Sequence, residues 1–296
     1  MGGWAAEREI SLISGNAVLQ GLLNRGVDAH ALDVDRNVFR LLSDGGYERA
    51  FVVLHGRGGE DGVIQAALEI LGLPYTGSGV LGSALGMDKY RCKLLWQGMG
   101  LPTPAFAMIH EESDLATVAE IGFPMMIKPA HEGSSIGMSR VDNPGQLRSA
   151  WQAAARYDSA VLAEAWIEGS EYTAAIMGDQ PLPLIKLETD NLFYDYQAKY
   201  ESNETRYLLP CGLDVQQETD LQQLALSAFK GVAAAGWGRV DLMLDQAGDP
   251  WLIEVNTVPG MTDHSLVPMA AKAAGMDFSE LVWQLLAQSL EHADAT

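Results

Sequence analysis

Asp241, Glu254 and Asn256 fall within one run, Trp237 to Asn256, that reads as two apolar strands joined by a turn rich in Gly, Asp and Pro. Side chains alternate faces along a strand, so Glu254 and Asn256 project to one side and Trp251, Ile253 and Val255 to the other. With a turn from Gln246 to Asp249, the register that sets Asp245 opposite Pro250 also sets Asp241 opposite Glu254. Like charges facing across a strand pair are destabilising, so the pair needs a compensating cation or keeps one carboxyl protonated. The three donors are oxygens, with no thiolate or imidazole, which favours Mg²⁺ over zinc, substrate phosphates filling the remaining octahedral positions. The wet face of an ordinary antiparallel hairpin has the same pattern. The turn-rich segment Thr257 to Leu266 directly after the acidic edge tips the balance, because loops at strand ends carry binding groups.

A second block has the residue types to hold phosphate. Phe123 to Lys128 is an apolar strand ending in a lysine, Glu132 to Gly137 is a Gly/Ser loop, and a strand resumes near Arg140. Such a loop folds amides and hydroxyls over triphosphate oxygens while Lys128 supplies a point charge; a plain hairpin with one exposed lysine is the alternative. His55 to Gly62, between a strand and a helix, is either an anion-receiving turn at a helix N-terminus or a tight turn. Gly77-Ser78-Gly79-Val80-Leu81-Gly82 matches the spacing G-x-G-x-x-G. It has no full strand before it and no acidic residue about 20 positions on, so it reads as a structural turn rather than a dinucleotide fingerprint. No P-loop occurs.

These groups need a scaffold, and 296 residues with 48% hydrophobic content are enough for two or three cored domains. A net charge of -20 repels nucleic acid and anionic lipid surfaces. Cys92 and Cys211, far apart, fit free thiols in a reducing cytoplasm. No stretch is apolar and long enough to span a bilayer, and the charged N-terminus lacks a signal-peptide core.

Along the chain, Ile10 to Leu23 reads as a helix with the stripe Ile10, Ile13, Ala17, Val18, Gly21 and Leu22. Ala29 to Val34 and Ala50 to Leu54 read as buried strands, and Asp61 caps a helix with Ile64, Ala67, Leu68 and Leu71 on one face. Strand–helix alternation points to a doubly wound parallel sheet, yet only Met1, Gly2 and Gly3 stand where its first strand is expected. An internal strand missing from such a sheet leaves ladder groups and core surface exposed. Leu101-Pro102-Thr103-Pro104 is a rigid connection. Asn143 caps and Pro144 starts a helix with Leu147, Trp151 and Ala154 on one face. Val161 to Tyr172 is strand, break, strand, and Thr189 to Tyr207 reads as a lid. Gln222 to Ala235 and Phe278 to Leu290 are amphipathic helices, the second opened by an Asp277/Glu280 capping box.

The segment from Gly238 to Pro268, together with Gly2 to Glu9, His55 to Gly62, Met87-Asp88-Lys89 and the Lys128 loop, resembles the D-alanine:D-alanine ligases of the ATP-grasp superfamily. The resemblance spans Gly2 to Leu286 and implies an α/β (α+β ATP-grasp) fold: an N-terminal domain at 1–88, a central ATP-grasp subdomain at 89–170 and a C-terminal one at 171–296. It implies ATP-dependent ligation of two D-alanine molecules, two Mg²⁺ ions (Mn²⁺ substituting) on Asp241, Glu254 and Asn256, and a homodimer with no nucleic-acid or membrane partner. ATP contacts fall to Lys89, Lys128, Ser135, Glu164, Ile167, Glu171 and Lys199, with Ala165 where some relatives place an adenine-touching lysine. Glu7 and His55 fall to the first substrate, Ser265 and the Leu266 amide to the second, and Arg239 and the Gly260 amide to the oxyanion. Ser134 and Tyr200 are linked to Glu7, and Tyr200 points to D-alanine rather than lactate as second substrate. The competing expectations are a nucleotide-binding protein without ligase activity and a ligase for another amino-acid pair.

Overall fold

A computed structural model describes residues 1–189, 205–262 and 264–291. Two antiparallel sheets carry the two expected phosphate-handling blocks. The first has the order β1 (Phe106–Ile109), β4 (Val161–Ala165), β2 (Met125–Pro129), β3 (Ser139–Val141). Ile109, Met125, Ile127, Val141, Val161 and Ala163 form its dry face, closed by the helix Pro144–Ala154 through Leu147 and Ala154. Asn143 accepts a hydrogen bond from the Gly145 amide at 3.1 Å and Pro144 takes the first turn, as the sequence indicates.

The second sheet runs β10 (Pro250–Asn256), β9 (Trp237–Asp245), β5 (Gly169–Met177), β7 (Ile185–Glu188), β8 (Arg206–Leu208), with β6 (Gln180–Pro181) on the β5 edge. The helix Val215–Gly231 packs Leu221, Ala225, Ala228 and Phe229 on it. That helix begins seven residues before the Gln222 start expected from its apolar stripe, because Asp214 and Gln217 form a capping box ahead of the apolar positions. The helix Lys89–Gly98 joins the same core through Cys92 and Trp96. Both cysteines are buried free thiols.

The β9/β10 register corrects one expectation. Pro250 pairs with Leu244, not Asp245, and a bulge between Leu252 and Glu254 then brings Glu254 opposite Asp241. The extra residue, Ile253, breaks the alternation. Leu252 and Val255 both face the core, while Ile253 lines the same cavity as Glu254. The sheet edge at Leu252 is covered rather than open: its amide donates to Pro102 O (2.9 Å) and its carbonyl accepts from Thr103 Oγ1 (3.0 Å).

In the N-terminal part, the helix Arg8–Asn24 buries Ser11, Ser14, Gly15, Val18, Gly21 and Leu22, while Ile13 is exposed. The small face is inside because the helix lies close against Met1 and the Val53 carbonyl, where a larger residue has no room. The helix Phe278–Glu291 covers its other flank through Leu281, Val282, Leu285 and Leu286. The helix Val63–Ile70 has Gly62, at φ 91°, as its N-cap rather than the expected Asp61; Asp61 stands one residue earlier and accepts from the Gly58 and Val63 amides. The expected strand 50–54 is mostly buried, but 29–34 is not, with His30, Ala31 and Asp33 exposed and Val34 alone buried; among the described residues the two segments form only isolated parallel bridges, Gly2 with Val34 and Ala50 with Tyr75. Between them lies a cavity of about 750 Å³ lined by Val18, Leu22, Leu32, Val52, Leu54 and Leu68 among others. Gly82, third glycine of the Gly77 to Gly82 run, lies against the Ala233 carbonyl with no space for a side chain, so the run is a packing seat.

Each apolar side chain placed in that cavity contributes on the order of 1.5–3 kcal/mol. Val52→Ile, which adds one methylene to that lining, is therefore expected to raise the thermal midpoint by about 2 °C. An unchanged or lowered midpoint would show that the cavity does not accept added apolar volume.

Candidate functional site

The two sheets face each other across a cavity of about 490 Å³, within the size range of sites for nucleotide-sized ligands. Lys89, Lys128, Ser135, Glu164, Ile167, Glu171, Asp241 and Glu254, all singled out from the sequence, line it. Trp166 and Arg140 close one wall, the guanidinium 4.8 Å from the ring centroid. Ala165, on the first sheet, and Lys186, on the second, also line the cavity.

At the acidic end, Asp241 is held on both oxygens. Arg239 donates to it from Nε (2.8 Å) and Nη2 (2.7 Å), Thr173 from Oγ1 (2.6 Å) and Asn256 from Nδ2 (3.1 Å). Glu254, on the neighbouring strand, has the Lys89 ammonium 3.4 Å away. Lys89 also donates to the Glu132 carbonyl at 2.7 Å, tying the end of the Gly/Ser loop to the acidic strands. Among the described residues no group of three or more His, Cys, Asp or Glu side chains is placed to hold a metal. The candidate set consists of two carboxylates and a carboxamide. That donor set, all oxygen with two negative charges, fits a hard divalent cation better than a transition metal.

The loop after β2 keeps its shape under strain. Ser134 and Ser135 adopt left-handed backbone, with φ of 53° and 57°, a conformation that costs non-glycine residues about 1 kcal/mol or more each. Glu7, buried at the start of the helix Arg8–Asn24, reaches between Gly56 and Gly133, where any side chain would collide with its carboxylate. Burial raises the Glu7 pKa, Glu132 adds to this, and Lys89 and a hydrogen bond from Ser134 oppose it. His55 is neutral, its pKa pushed down to about 4 by burial. Its Nδ1 donates to the Val258 carbonyl at 2.8 Å, and its Nε2 lies 3.4 Å from Ser14 Oγ, which accepts from the Met261 amide. Ser265 accepts from the Thr262 amide (2.8 Å) and precedes the helix Leu266–Ala273, whose first amides include that of Leu266. A Cβ at Gly260 would stand 2.9 Å from the Ser265 hydroxyl oxygen, too close without a shift. Lys199, Tyr200 and most of the expected lid lie outside the described residues.

Several groups escaped the sequence reading. His131 bridges Asp158 (Nδ1, 2.7 Å) and Asp88 (Nε2, 3.2 Å), which caps the helix Lys89–Gly98. These carboxylates, Asp88 foremost, raise the His131 pKa. Lys93 lies wholly inside the protein against Glu164. It had a readable signal: Lys89, Cys92, Lys93 and Trp96 occupy the i, i+3, i+4, i+7 positions of one helical stripe, and two of them are charged. Glu60 accepts from the Gly56 amide at 2.8 Å and has its pKa pushed up to about 8 by burial, the nearby Glu7 adding to it.

Residues 95–287 match the family model described as D-ala D-ala ligase C-terminus. A D-alanine–D-alanine ligase from Nitrosococcus oceani is 60% identical over 292 residues, covering 98% of this chain and 92% of the relative. One from Alkalilimnicola ehrlichii is 59% identical over 290 residues, covering 98% and 93%. The crystal structure of the D-alanine–D-alanine ligase from Bacillus anthracis superposes with a TM-score of 0.88 at 32% identity, covering 100% of this chain and 97% of that one. The same enzyme complexed with ATP gives 0.85 at 29% identity over 100% and 97%. A D-Ala:D-Ser ligase from Enterococcus faecalis gives 0.85 at 28% identity over 98% and 97%.

Glu60 supplies a pH test. Its folded pKa of about 8 exceeds the ordinary 4.5, so between these values the folded chain binds more proton than the unfolded chain and stability falls as pH rises. The Glu60→Gln variant does not titrate. Its thermal midpoint, measured against that of the parent, is expected to gain ground from pH 5 to pH 8. A constant difference across that window would contradict the assignment.

Proposed function

The chain belongs to the D-alanine–D-alanine ligase family, and on that premise we propose a role for each residue of the site. The protein is an ATP-dependent ligase that joins two D-alanine molecules, forming ADP, for peptidoglycan precursor synthesis. The proposed division of the chain remains 1–88, 89–170 and 171–296. No helix among the described residues is long and apolar enough to cross a membrane, and a cytoplasmic location is part of the proposal.

Carboxylate and amine do not condense unaided in water. A carboxylate oxygen of the first D-alanine attacks the γ-phosphorus of ATP, the bond to the bridging oxygen breaks, and ADP leaves with its electron pair. The amine of the second D-alanine, having lost a proton, attacks the acyl carbon. The tetrahedral oxyanion then collapses and expels phosphate.

One observation carries this reading: the ammonium groups of Lys89 and Lys128 and the carboxylates of Asp241 and Glu254 converge on a single cavity bordered by the Gly/Ser loop. In our reading the lysines neutralise charge on the transferring phosphoryl group, and the Ser135 amide and hydroxyl cover it. Asp241, Glu254 and Asn256 would hold two Mg²⁺, or Mn²⁺ in their place, which offset the charge of the triphosphate when bound. The backbone near Glu164 and Ile167 receives adenine and Glu171 the ribose hydroxyls. Ala165 leaves that wall without the lysine some relatives use, which lowers ATP affinity without altering the chemistry.

Glu7 pairs with the first substrate's ammonium, and its raised pKa falls when that cation arrives, as for any carboxylate gaining an opposite charge. Neutral His55 lines the same subsite. Ser265 and the Leu266 amide receive the second substrate's carboxylate at a helix N-terminus. Arg239 and the Gly260 amide hold the oxyanion. Ser134 and Tyr200, linked to Glu7, assist removal of the amine proton, and Lys199-Tyr200 favours D-alanine as second substrate. We also propose a homodimer, to be checked by light scattering.

Glu254→Gln is expected to abolish phosphate release that depends on both ATP and D-alanine. Turnover retained in that variant would overturn the metal assignment. A substrate panel including D-serine and D-lactate tests the second-substrate choice.

A further inference from the structure

The helix Lys89–Gly98 turns two lysines inward with different destinations. Lys89 reaches the cavity, whereas Lys93 is wholly buried. Its ammonium lies 3.1 Å from Glu164 Oε2, 2.7 Å from Thr103 Oγ1 and 3.3 Å from the Leu252 carbonyl, with the rings of Trp96 and Phe106 at 6.0 and 5.9 Å. Taking an ammonium out of water is costly, and here burial draws its pKa down to about 8 against the pull of Glu164. The same Glu164 oxygen has Lys128 at 2.7 Å. Burial alone would raise the Glu164 carboxyl, but the two ammonium groups outweigh it and keep it ionised.

One carboxylate thus stands between two cations, and the cluster has a net charge of +1. With Lys128 as its only partner, Glu164 would cancel the charge of that lysine and leave little field for an anion. Lys93 approaches from the side away from the cavity, where no ligand reaches. We propose that Lys93 is a positioning residue for phosphate recognition, neutralising Glu164 from within so that Lys128 presents an uncompensated charge to the cavity. This rests on reading the cavity as the nucleotide site.

The competing role is mechanical. Lys93 and Thr103 both bond to Leu252, so Lys93 also fastens the connection Leu101 to Pro104 onto β10. The two roles differ in which ligand they affect. A charge left over on Lys128 matters to a triphosphate and not to a nucleoside, whereas a loosened connection would disturb both.

The test is calorimetric binding of a non-hydrolysable ATP analogue and of adenosine to the full chain, in the parent and in Lys93→Met. The analogue is expected to bind about tenfold more weakly to the variant, the order of effect of one nearby charge in a partly solvated site. Adenosine is expected to change less than about twofold, within the scatter of such comparisons. Because Lys93→Met leaves Glu164 short of a partner and can fail to fold, its thermal midpoint is recorded and Lys93→Arg, which keeps the positive charge beside Glu164, is measured beside it. Lys93→Arg should restore most of the analogue binding lost in Lys93→Met. Equal losses for both ligands, no loss for the analogue, or a folded Lys93→Arg as weak as Lys93→Met would overturn the proposal. Failure of the parent to bind the analogue would overturn the nucleotide reading instead.

Discussion

The structure turns on an electrostatic constraint: two carboxylates, Asp241 and Glu254, face each other across adjacent strands. Left alone, such a pair is unfavourable by some tenths to about 1 kcal/mol, and more where water is excluded. The protein answers by bringing cations and donors from separate parts of the chain. Arg239 comes from the same strand, Thr173 from β5, Asn256 from β10, and Lys89 from a helix in the next segment. Lys89 is in turn bound to the loop after β2 through Glu132. The acidic strands, the lysine helix and the Gly/Ser loop are therefore positioned by one network of charge compensation.

Around that network, side-chain size matters as much as charge. Glu7 fits only because Gly56 and Gly133 leave room for its carboxylate, and the Ser265 hydroxyl occupies the space a side chain at 260 would need. Ser134 and Ser135 hold left-handed backbone that glycine would adopt without strain. Serine at these positions gives up some stability for hydroxyls next to the Glu7 carboxylate and the cavity.

What the sequence discloses of this arrangement follows from the range of the signals. Local and periodic signals are legible: the Asn143-Pro144 helix start, the β4/β5 break, and the Asp241, Glu254 and Asn256 spacing. The pairing of Asp241 with Glu254 was expected from a register that is off by one, because a bulge at a single isoleucine carries no compositional mark. The inward face of the helix Arg8–Asn24 was misjudged at Ile13, since its serines are buried through polar partners, Ser11 at the Gly2 amide and Ser14 at His55 and the Met261 amide, that lie far along the chain or carry no periodicity. Glu60 and His131 became visible only when distant segments met, because burial and partner, not residue type, give them their character; for Lys93 the helical stripe marks an inward face but not its partner Glu164. The remaining assignments proposed for the site, Ser265 and Gly260 among them, rest on the motif resemblance, since no periodicity marks those residues.

The Ser14 hydroxyl lies between His55 Nε2 and the amide of Met261, so the N-terminal helix, the turn after Leu54 and the loop beyond β10 meet at one oxygen atom. The proposed amino-acid subsite thus draws on regions more than two hundred residues apart along the chain. Its geometry survives only while those regions stay docked. Alterations at remote packing seats such as Gly82 against Ala233 would then register as changes in substrate affinity, although they touch no substrate atom.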